Sequence, residues 1–502
     1  MQPLVALAVG LPFVGAVVCI AVRDRASKYA AAATTVVTAA AAVVLCSTAA
    51  EGSLRFGGFP WLGKGAAKGL MGYILDPLSC VMLLVCSVIG VIITFYSMGY
   101  LSPENKDHPT HEGHARYYFW LMLFVGSMAG LAVSPTLLQM LIFWEMTTLC
   151  SWALISFYNN EESLKAGIKA LVMTSFGGLF FLGGLIWVYC ATGSMDFQSL
   201  GSMPPALRSW AFACFLIAAW AKSAQLPFYT WLPDAMAAPT PISAYLHAAA
   251  MVKAGVFLVA RLLLSGWELP VGMGLLVSWA ALATMFAALY LYFMQDDLKR
   301  LLAFSTIAQL GYILLGLGLG SLGAPMALRG SVLHILMHAC AKTTLFLTVG
   351  CIAYACGTRS ISALSGLVRS MPLAAVGFFV GAFALTGIPP LACFWSKMYV
   401  LAGALQVQGA FGPIALVLIL VESLVAFAWF LWVGQKVFFG TPKVVSPAVS
   451  EGHPVQPSSP GAAGSLLDPP RTMEWILVLV ILLTLAAPIA GIPIVSRLAL
   501  SP

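Results

Sequence analysis

Windows of about twenty apolar residues follow one another along nearly the whole chain, and this feature limits the fold more than any other. A helix needs about twenty such residues to cross a hydrocarbon core of ~30 Å. The windows fall at 2–22, 29–49, 77–97, 117–133, 136–157, 168–191, 208–226, 240–263, 271–294, 301–320, 329–356, 372–400, 411–439 and 474–495. The sequence therefore predicts an all-α polytopic membrane protein of about fourteen transmembrane helices.

The composition excludes a water-soluble fold, because only 9% of the 502 residues are charged and 61% are hydrophobic, whereas soluble domains are about a quarter charged. The chain begins Met-Gln-Pro and stays apolar through Val22, which favours a retained first span over a cleaved signal peptide. Its eleven cysteines form no C-x-x-C pair, so we expect packing residues and neither a metal nor a bound cofactor. The net charge of +7 includes no Lys/Arg block, so nucleic-acid binding has no support.

Lysine and arginine are unevenly distributed between the two sets of loops. The loops that join odd to even spans carry thirteen, and the opposite loops carry seven. Cytoplasmic loops carry the excess of positive residues. The sequence therefore predicts that both termini lie on the non-cytoplasmic side.

Two spans contain helix breakers, the seventh at Gln225-Leu226-Pro227 and the twelfth at Thr386-Gly-Ile-Pro-Pro390. Proline removes a backbone donor and clashes with the preceding turn, so both helices are predicted to break at membrane depth. Paired broken helices in two halves of a chain indicate inverted repeats. A further segment, Ser446 to Pro470, is rich in Pro, Ser, Gly and Ala, which predicts a flexible cytoplasmic linker.

Five lysines lie inside or at the edge of predicted spans: Lys169, Lys222, Lys253, Lys342 and Lys397. Each disfavours insertion by about 2.5–3.5 kcal/mol at the bilayer centre, so charged residues there are functional candidates. The other ionisable residues in predicted spans that we treat as candidates are Glu145, Glu422, His247, His334 and His338. The alternative is that some of these residues extend to the interface or hold helices together. For Lys169, next to a loop, the two interpretations are balanced, and Lys169 and Glu422 are secondary candidates.

His334, His338 and Lys342 follow at i, i+4 steps and share one helix face. The histidine pair could chelate a metal, but a stripe that continues into a lysine favours a proton relay. Burial disfavours the charged form of a lysine and a nearby carboxylate favours it. We therefore expect Glu145 to be the partner of Lys222, with Lys253 as the next site.

The loop residues His108, His111 and His114 have a spacing that could bind a metal, although a solvated loop is the favoured interpretation. Asp296, Asp297, Lys299 and Arg300 are predicted to anchor a short loop at the membrane interface.

Long motifs resemble the antiporter-like membrane subunits of the complex I and group 4 hydrogenase superfamily. They are Ala221-Lys-Ser-Ala-Gln-Leu-Pro227 continuing through Trp231 to Gly255, Trp144-Glu145 with Cys150-Ser-Trp152, Asp297 to Thr306, His338-Ala-Cys-Ala-Lys342, and Gly387 to Lys397. The resemblance covers about residues 75–440. The most specific resemblance is to a membrane subunit of the hydrogenase-four and formate hydrogenlyase group. It lies in Tyr96–Tyr100, Cys150–Tyr158 and Val421–Trp429.

The resemblance implies two inverted five-helix repeats with broken helices. The implied divisions are helices 1–3 and the following loop (1–116), a first repeat (117–263), a second repeat (264–440), a linker (441–473) and a last helix (474–502). It also implies a proton route through Glu145, Lys222, Lys253, His338, Lys342 and Lys397. Ala392-Cys393 stands where small residues including glycine are usual, and we expect the chain to lack the long lateral helix of the largest relatives.

Three hypotheses for the function follow. The first is a proton-translocating subunit of a redox-driven complex in a prokaryotic plasma membrane, with no redox centre of its own. Its partners would be other membrane subunits and, through them, an iron-sulfur, hydrogenase or dehydrogenase arm. The second is a subunit of a multisubunit sodium/proton antiporter. The third is a membrane scaffold whose charges form structural pairs.

Overall fold

The computed structural model describes residues 2–48, 54–57, 72–442 and 467–498. Within them the first helices are α1 (Gln2–Ala21), α2 (Arg23–Thr48), α3 (Pro77–Tyr100), α4 (His114–Ala132), α5 (Leu137–Ile155) and α6 (Glu161–Thr192). Next come α7 (Pro205–Lys222), α8 (Trp231–Asp234), α9 (Thr240–Ala248), α10 (Met251–Leu264), α11 (Val271–Tyr292) and α12 (Leu298–Ser321). The last are α13 (Pro325–Cys356), α14 (Pro372–Thr386), α15 (Ala392–Ala404), α16 (Phe411–Phe438) and α17 (Arg471–Ser496).

In the described part of the chain, eleven spans are long and apolar enough to cross a membrane, and α9 with α10 forms one of them. The all-α polytopic fold is therefore confirmed. Helices α4, α7 and α14 lie where the fourth, seventh and twelfth spans are predicted but do not meet that criterion. The count of about fourteen, the inverted repeats and the domain boundaries stay predictions.

Both predicted helix breaks are present. Helix α7 ends at Lys222 and α8 begins at Trp231, on either side of Pro227. Helix α14 ends at Thr386, and α15 begins at Ala392 after Pro389 and Pro390. The predicted eighth span is also interrupted, which the sequence analysis missed. Its two parts, α9 and α10, are separated at Ala249–Ala250, where no proline or glycine gives a signal.

A short hairpin between α2 and α3 was not predicted. Strand β1 (Leu54–Gly57) pairs antiparallel with β2 (Gly72–Leu75), and Arg55 of β1 forms an ion pair with Asp196. Most of the predicted linker, residues 443–466, lies outside the described residues.

Helices α12 and α13 form the centre of the bundle. Helix α13 packs against α3, α9, α12, α14, α15 and α17, and almost every residue of α12 and α13 is buried. Exposed leucines, valines and aromatics lie instead on outer helices such as α1, α2, α6, α16 and α17. Polar side chains on α12 and α13 are therefore shielded from lipid by other helices.

Two residues counted above in loops are buried, Lys299 among the thirteen and Arg261 among the seven. Arg261 lies on α10 and pairs with Asp76, the N-cap of α3. Lys299 lies in the first turn of α12 and is 1% exposed, so its prediction as an interface anchor is wrong. Both were misplaced because long cationic side chains are usually exposed, whereas here each one finds acceptors inside the protein.

Candidate functional site

Lys222 is the last residue of α7, and its ammonium reaches across to α5. Its Nζ donates to the backbone oxygen of Trp144 (2.8 Å) and to Oγ1 of Thr148 (2.5 Å), and it lies 5.0 Å from the centre of the Trp144 ring. Because Lys222 is fully buried, these acceptors and the indole face replace the water that the charge would otherwise need.

Glu145, the expected partner of Lys222, follows Trp144 on α5, and the two side chains form no ion pair within 4.0 Å in this structure. Its Oε1 faces Gly178 of α6 and has no hydrogen-bond partner among the described residues. Glu145 also lines an open groove of about 620 Å³ on the outer side of the bundle, together with Leu141, Val172, Ser175, Phe176, Gly178, Leu179 and Leu182. Lys222 therefore contacts the peptide unit that precedes Glu145, and it forms no ion pair with the Glu145 carboxylate within 4.0 Å.

His247 and Lys253 lie on the two parts of the interrupted span. His247 Nδ1 is 3.0 Å from Oγ1 of Thr306 on α12, whereas its Nε2 has no partner in the described chain. Lys253 donates to the backbone oxygen of Ile335 on α13. The break between α9 and α10 thus places a histidine and a lysine toward the two central helices.

The stripe on α13 is confirmed as one buried face. His334 contacts Ser396 (2.7 Å) and donates from Nε2 to Oε1 of Gln309 (3.0 Å). His338 lies 6.0 Å away, ring centre to ring centre, and neither of its ring nitrogens has a partner within the described residues. Lys342 donates to the backbone oxygen of Leu302 (2.8 Å) and to Ser305.

Lys397 lies on α15, just after the second predicted break. It donates to Ser423 Oγ (2.8 Å) and to the backbone oxygen of Thr386 (3.2 Å), which is the last residue of α14. Glu422 Oε2 is 4.0 Å from its Nζ, and Ser423 Oγ lies 3.3 Å from the same carboxylate. Lys397 and Glu422 are both predicted site residues. Among the predicted site residues that the structure describes, no other lysine and carboxylate come within 4.0 Å of each other.

Lys169 belongs to the loop end of α6 and not to this interior group. It pairs with Asp234 of α8 at 2.6 Å and is 39% exposed.

The loop histidines make separate contacts: His108 stacks on Tyr158, and His114 contacts the backbone oxygen of Leu101. Burial lowers the pKa of His108. No group of three or more metal-ligating side chains comes together in the part of the chain that the structure describes.

Seven predicted residues are thus buried inside the bundle: Lys222, His247, Lys253, His334, His338, Lys342 and Lys397. We call them the lysine–histidine row. Their hydroxyl and amide partners Thr148, Ser305, Thr306, Gln309, Ser396 and Ser423 were missed by the sequence analysis. Isolated small polar residues in otherwise apolar helices, such as Ser305-Thr306 with Gln309, were the available signal. Groups that can gain and lose protons, linked by hydroxyls, can pass protons between neighbours.

The chain matches two protein-family models and is similar to subunits of known oxidoreductases. Residues 134–425 match the family described as NADH:quinone oxidoreductase/Mrp antiporter, TM, and residues 61–118 match NADH-Ubiquinone oxidoreductase (complex I), chain 5 N-terminus. The chloroplastic NAD(P)H-quinone oxidoreductase subunit 5 of Anthoceros angustus is 37% identical over 71% of the chain and 50% of the relative. For NAD(P)H-quinone oxidoreductase chain 5 of Synechocystis sp. the identity is 37%, over 69% of the chain and 52% of the relative. The chain therefore spans about half the length of the curated relatives it matches.

Two solved structures have a similar fold. One is the Mrp complex from Dietzia sp. DQ12-45-1b, with a TM-score of 0.81, 29% identity, and coverage of 99% of this chain and 51% of that one. The other is the membrane-bound sulfane sulfur reductase, an archaeal respiratory membrane complex, with a TM-score of 0.79 and coverage of 99% of both chains. Its identity of 21% supports likeness of fold alone.

Proposed function

Because the chain belongs to the NADH:quinone oxidoreductase/Mrp antiporter transmembrane family, we propose that it translocates protons as one membrane subunit of a redox-driven complex. The lysine–histidine row is the observation that carries this proposal. Its members span both broken-helix regions, and each is buried among helices that shield it from lipid. A purely structural role would need far fewer buried ionisable groups, because each disfavours membrane insertion.

Protonation would pass between the two ends of the row. At one end, Lys222 donates to the carbonyl oxygen of the peptide unit that joins Trp144 to Glu145. At the other end, Lys397 Nζ lies 4.0 Å from Glu422 Oε2. A carboxylate that approaches a buried lysine favours its charged form, and one that withdraws favours release of the proton. Moving one proton against 100 mV requires roughly 2.3 kcal/mol, which electron transfer in partner subunits would supply.

The relatives are named as subunits or chains of oxidoreductases, and both solved structures are complexes, so other membrane subunits are partners. The groove at Glu145 favours a neighbour at that face. Lipid chains offer no donor to a carboxylate at membrane depth. A helix of a neighbouring subunit that brings a donor to Glu145 would satisfy it. Through such neighbours the chain would connect to a peripheral iron-sulfur, hydrogenase or dehydrogenase arm.

The chain is a multi-pass membrane protein. We propose the plasma membrane of a prokaryote as its location, and the excess of Lys and Arg in the loops between odd and even spans supports an orientation with both termini outside the cytoplasm. The closer resemblance to a membrane subunit of the hydrogenase-four and formate hydrogenlyase group stays a prediction.

The test is proton uptake into inverted membrane vesicles, driven by the redox reaction of the complex. Lys222→Ala is compared with wild type at matched assembly levels. Lost uptake with continued electron transfer is expected, since Lys222 begins the row. Unchanged uptake would remove Lys222 from the mechanism, and loss of assembly alone would favour the scaffold hypothesis.

A sodium/proton antiporter subunit is the second candidate, favoured by the match over 99% of this chain to part of the Mrp complex. Its activity would be driven by ion gradients alone. A sodium gradient imposed on vesicles without redox substrate would then cause proton movement that depends on Lys222, whereas the redox-driven function predicts none.

A further inference from the structure

Two adjoining pockets form a charged depression on the loop side of the molecule, where α12 begins. One, of about 240 Å³, is lined by Glu162, Lys165, Ala166, Lys169, Pro233, Asp234, Met236, Ala237, Asp297, Arg300 and Arg359. The other, of about 310 Å³, is lined by Asp107, Asp296, Asp297, Gly357, Thr358, Arg359 and Ser360. Because they share Asp297 and Arg359, we treat them as one feature, the loop-side basin. None of its charges belongs to the lysine–histidine row.

The inner wall of the basin is the segment between α8 and α9, which contains a short 3-10 helix (Ala235–Ala237). Its residues Met236 and Ala237 line the first pocket. On the other side of the same segment lies Lys299, whose Nζ donates to the backbone oxygens of Met236 (2.7 Å) and Ala238 (2.6 Å). A fully buried ammonium therefore lies one backbone layer below a polar pocket that opens to the surface.

The contacts of Lys299 are unusual for a structural lysine. No carboxylate oxygen lies within 4.0 Å of its Nζ among the described residues. The charged groups that act on it from the surrounding elements are Arg359, Asp107, Asp297 and Glu162, all of which line the basin. A lysine without an ion-pair partner can release its proton without leaving a buried carboxylate unpaired.

Helix α12 leads inward from Lys299 to the row. Leu302 is one turn further, roughly 4.5 Å along the axis, and its backbone oxygen accepts from Lys342 at 2.8 Å. Thr306 donates to the same oxygen at 2.9 Å and contacts His247 at 3.0 Å. Lys299 is thus a buried ionisable group in the first turn of α12, and Ser305 and Thr306 further along the same helix contact Lys342 and His247 of the row.

We propose that the loop-side basin is the route by which protons from the aqueous phase reach the lysine–histidine row, and that Lys299 is the proton-binding group at its inner end. This inference rests on the proposed function. The competing explanation is mechanical, with Lys299 serving only to hold the segment before α9 in place.

Lys299→Arg separates the two explanations. Arginine keeps the positive charge and can donate to both carbonyl oxygens, but it does not give up its proton in the accessible pH range. In the assembled complex, redox-driven proton uptake is expected to fall about tenfold or more while electron transfer continues, since a positioned proton-transfer group contributes typically 10²–10⁴-fold. Uptake equal to wild type would overturn the proposal. The control is Arg369→Gln, which removes the charge of an exposed residue that lines neither pocket of the basin and should leave uptake unchanged.

A second variant keeps the proposal testable if arginine prevents assembly. Ala237→Cys places a thiol on the basin wall, and a membrane-impermeant cationic thiol reagent applied from the loop side should block proton uptake. Full uptake after modification would contradict the proposal. Lys222→Ala, measured in the same vesicles, separates failure of the basin proposal from failure of the proposed function. If Lys222→Ala abolishes uptake and the Lys299 and Ala237 variants do not, only the basin proposal is excluded.

Discussion

The ammonium groups of Lys222, Lys253 and Lys342 are bound by backbone oxygens and, for two of them, by hydroxyls. None has a carboxylate within 4.0 Å in the described chain. Uncharged acceptors stabilise an ammonium less than a carboxylate does. Each of these lysines can therefore change its charge when a neighbouring charge moves, which a tight ion pair would prevent.

Thr148 supplies the one side-chain oxygen that contacts Lys222 within the described residues. Thr148→Val preserves the shape of the side chain and removes the hydroxyl. A hydrogen bond to a charged group contributes about 1.5–3 kcal/mol, so we expect redox-driven proton uptake to fall about tenfold with assembly retained. Thr148→Ser is the control and should pump normally. Equal uptake by the valine and serine variants would show that the hydroxyl is not used.

At the level of elements, the fit between α5 and α6 determines where Glu145 lies. A Cβ at Gly178 would overlap Oε1 of Glu145, whereas a Cβ at Gly183 on the same helix would meet nothing within 4 Å. The carboxylate is the free end of a flexible side chain, so the helices need not separate. A methyl group at position 178 should therefore move Glu145 and leave the fold intact.

Gly178→Ala is expected to reduce proton uptake while the complex still assembles. Gly183→Ala is the matched control, and it should preserve uptake and stabilise α6 by up to about 1 kcal/mol through helix propensity. The measurement is uptake per electron transferred, together with the thermal unfolding temperature in detergent. Wild-type uptake by the Gly178 variant would mean that the position of Glu145 is not critical.

The start of α4 is capped from another helix. Its N-cap, Gly113, has no side chain, and Asp24 at the start of α2 accepts from the backbone N–H of Gly113 (3.0 Å) and Ala115 (2.7 Å). Partial burial raises the pKa of Asp24, but the hydrogen bonds from Ala115 and Gly113 outweigh it, so that the pKa is lowered overall. The carboxylate is thus stabilised in the folded protein.

Asp24→Asn should destabilise the solubilised protein at neutral pH by about 1 kcal/mol, in the range of a lost N-cap. Because the folded pKa of Asp24 is below its unfolded value, the contribution is fully present above pH ~4 and is lost as the pH falls through the folded pKa. Thermal unfolding of both proteins between pH 7 and pH 3 should therefore converge at low pH. A difference that stays constant over this range would contradict the carboxylate explanation.

At the level of the whole molecule, orientation can be tested with a native residue. Cys190 near the end of α6 is exposed, and the other cysteines are buried or half-buried. It precedes a loop between an even and an odd span, which is predicted to face away from the cytoplasm. An impermeant maleimide should label it in right-side-out vesicles but not in inverted ones. Labelling only in inverted vesicles would reverse the orientation, and Cys190→Ser checks that the signal comes from this thiol.

The polytopic all-α fold could be predicted from the sequence, because apolar length and helix breakers are local properties. Every member of the row was also predicted from the sequence, because an ionisable residue in an apolar span is conspicuous without any structure. Lys222, Lys342 and Lys397 were found in this way.

The contacts between these groups could not be predicted, because they form only when the helices pack together. The break at Ala249–Ala250, the separation of Glu145 from Lys222, and the burial of Lys299 depend on helices that are distant in the chain. A hydrogen bond such as that from Lys222 to Thr148 joins residues 74 positions apart, and no periodicity in the sequence reports it. Whether a charge pairs, stays exposed or is buried among carbonyl oxygens is set by packing between helices, because each arrangement needs acceptors that only the folded bundle provides.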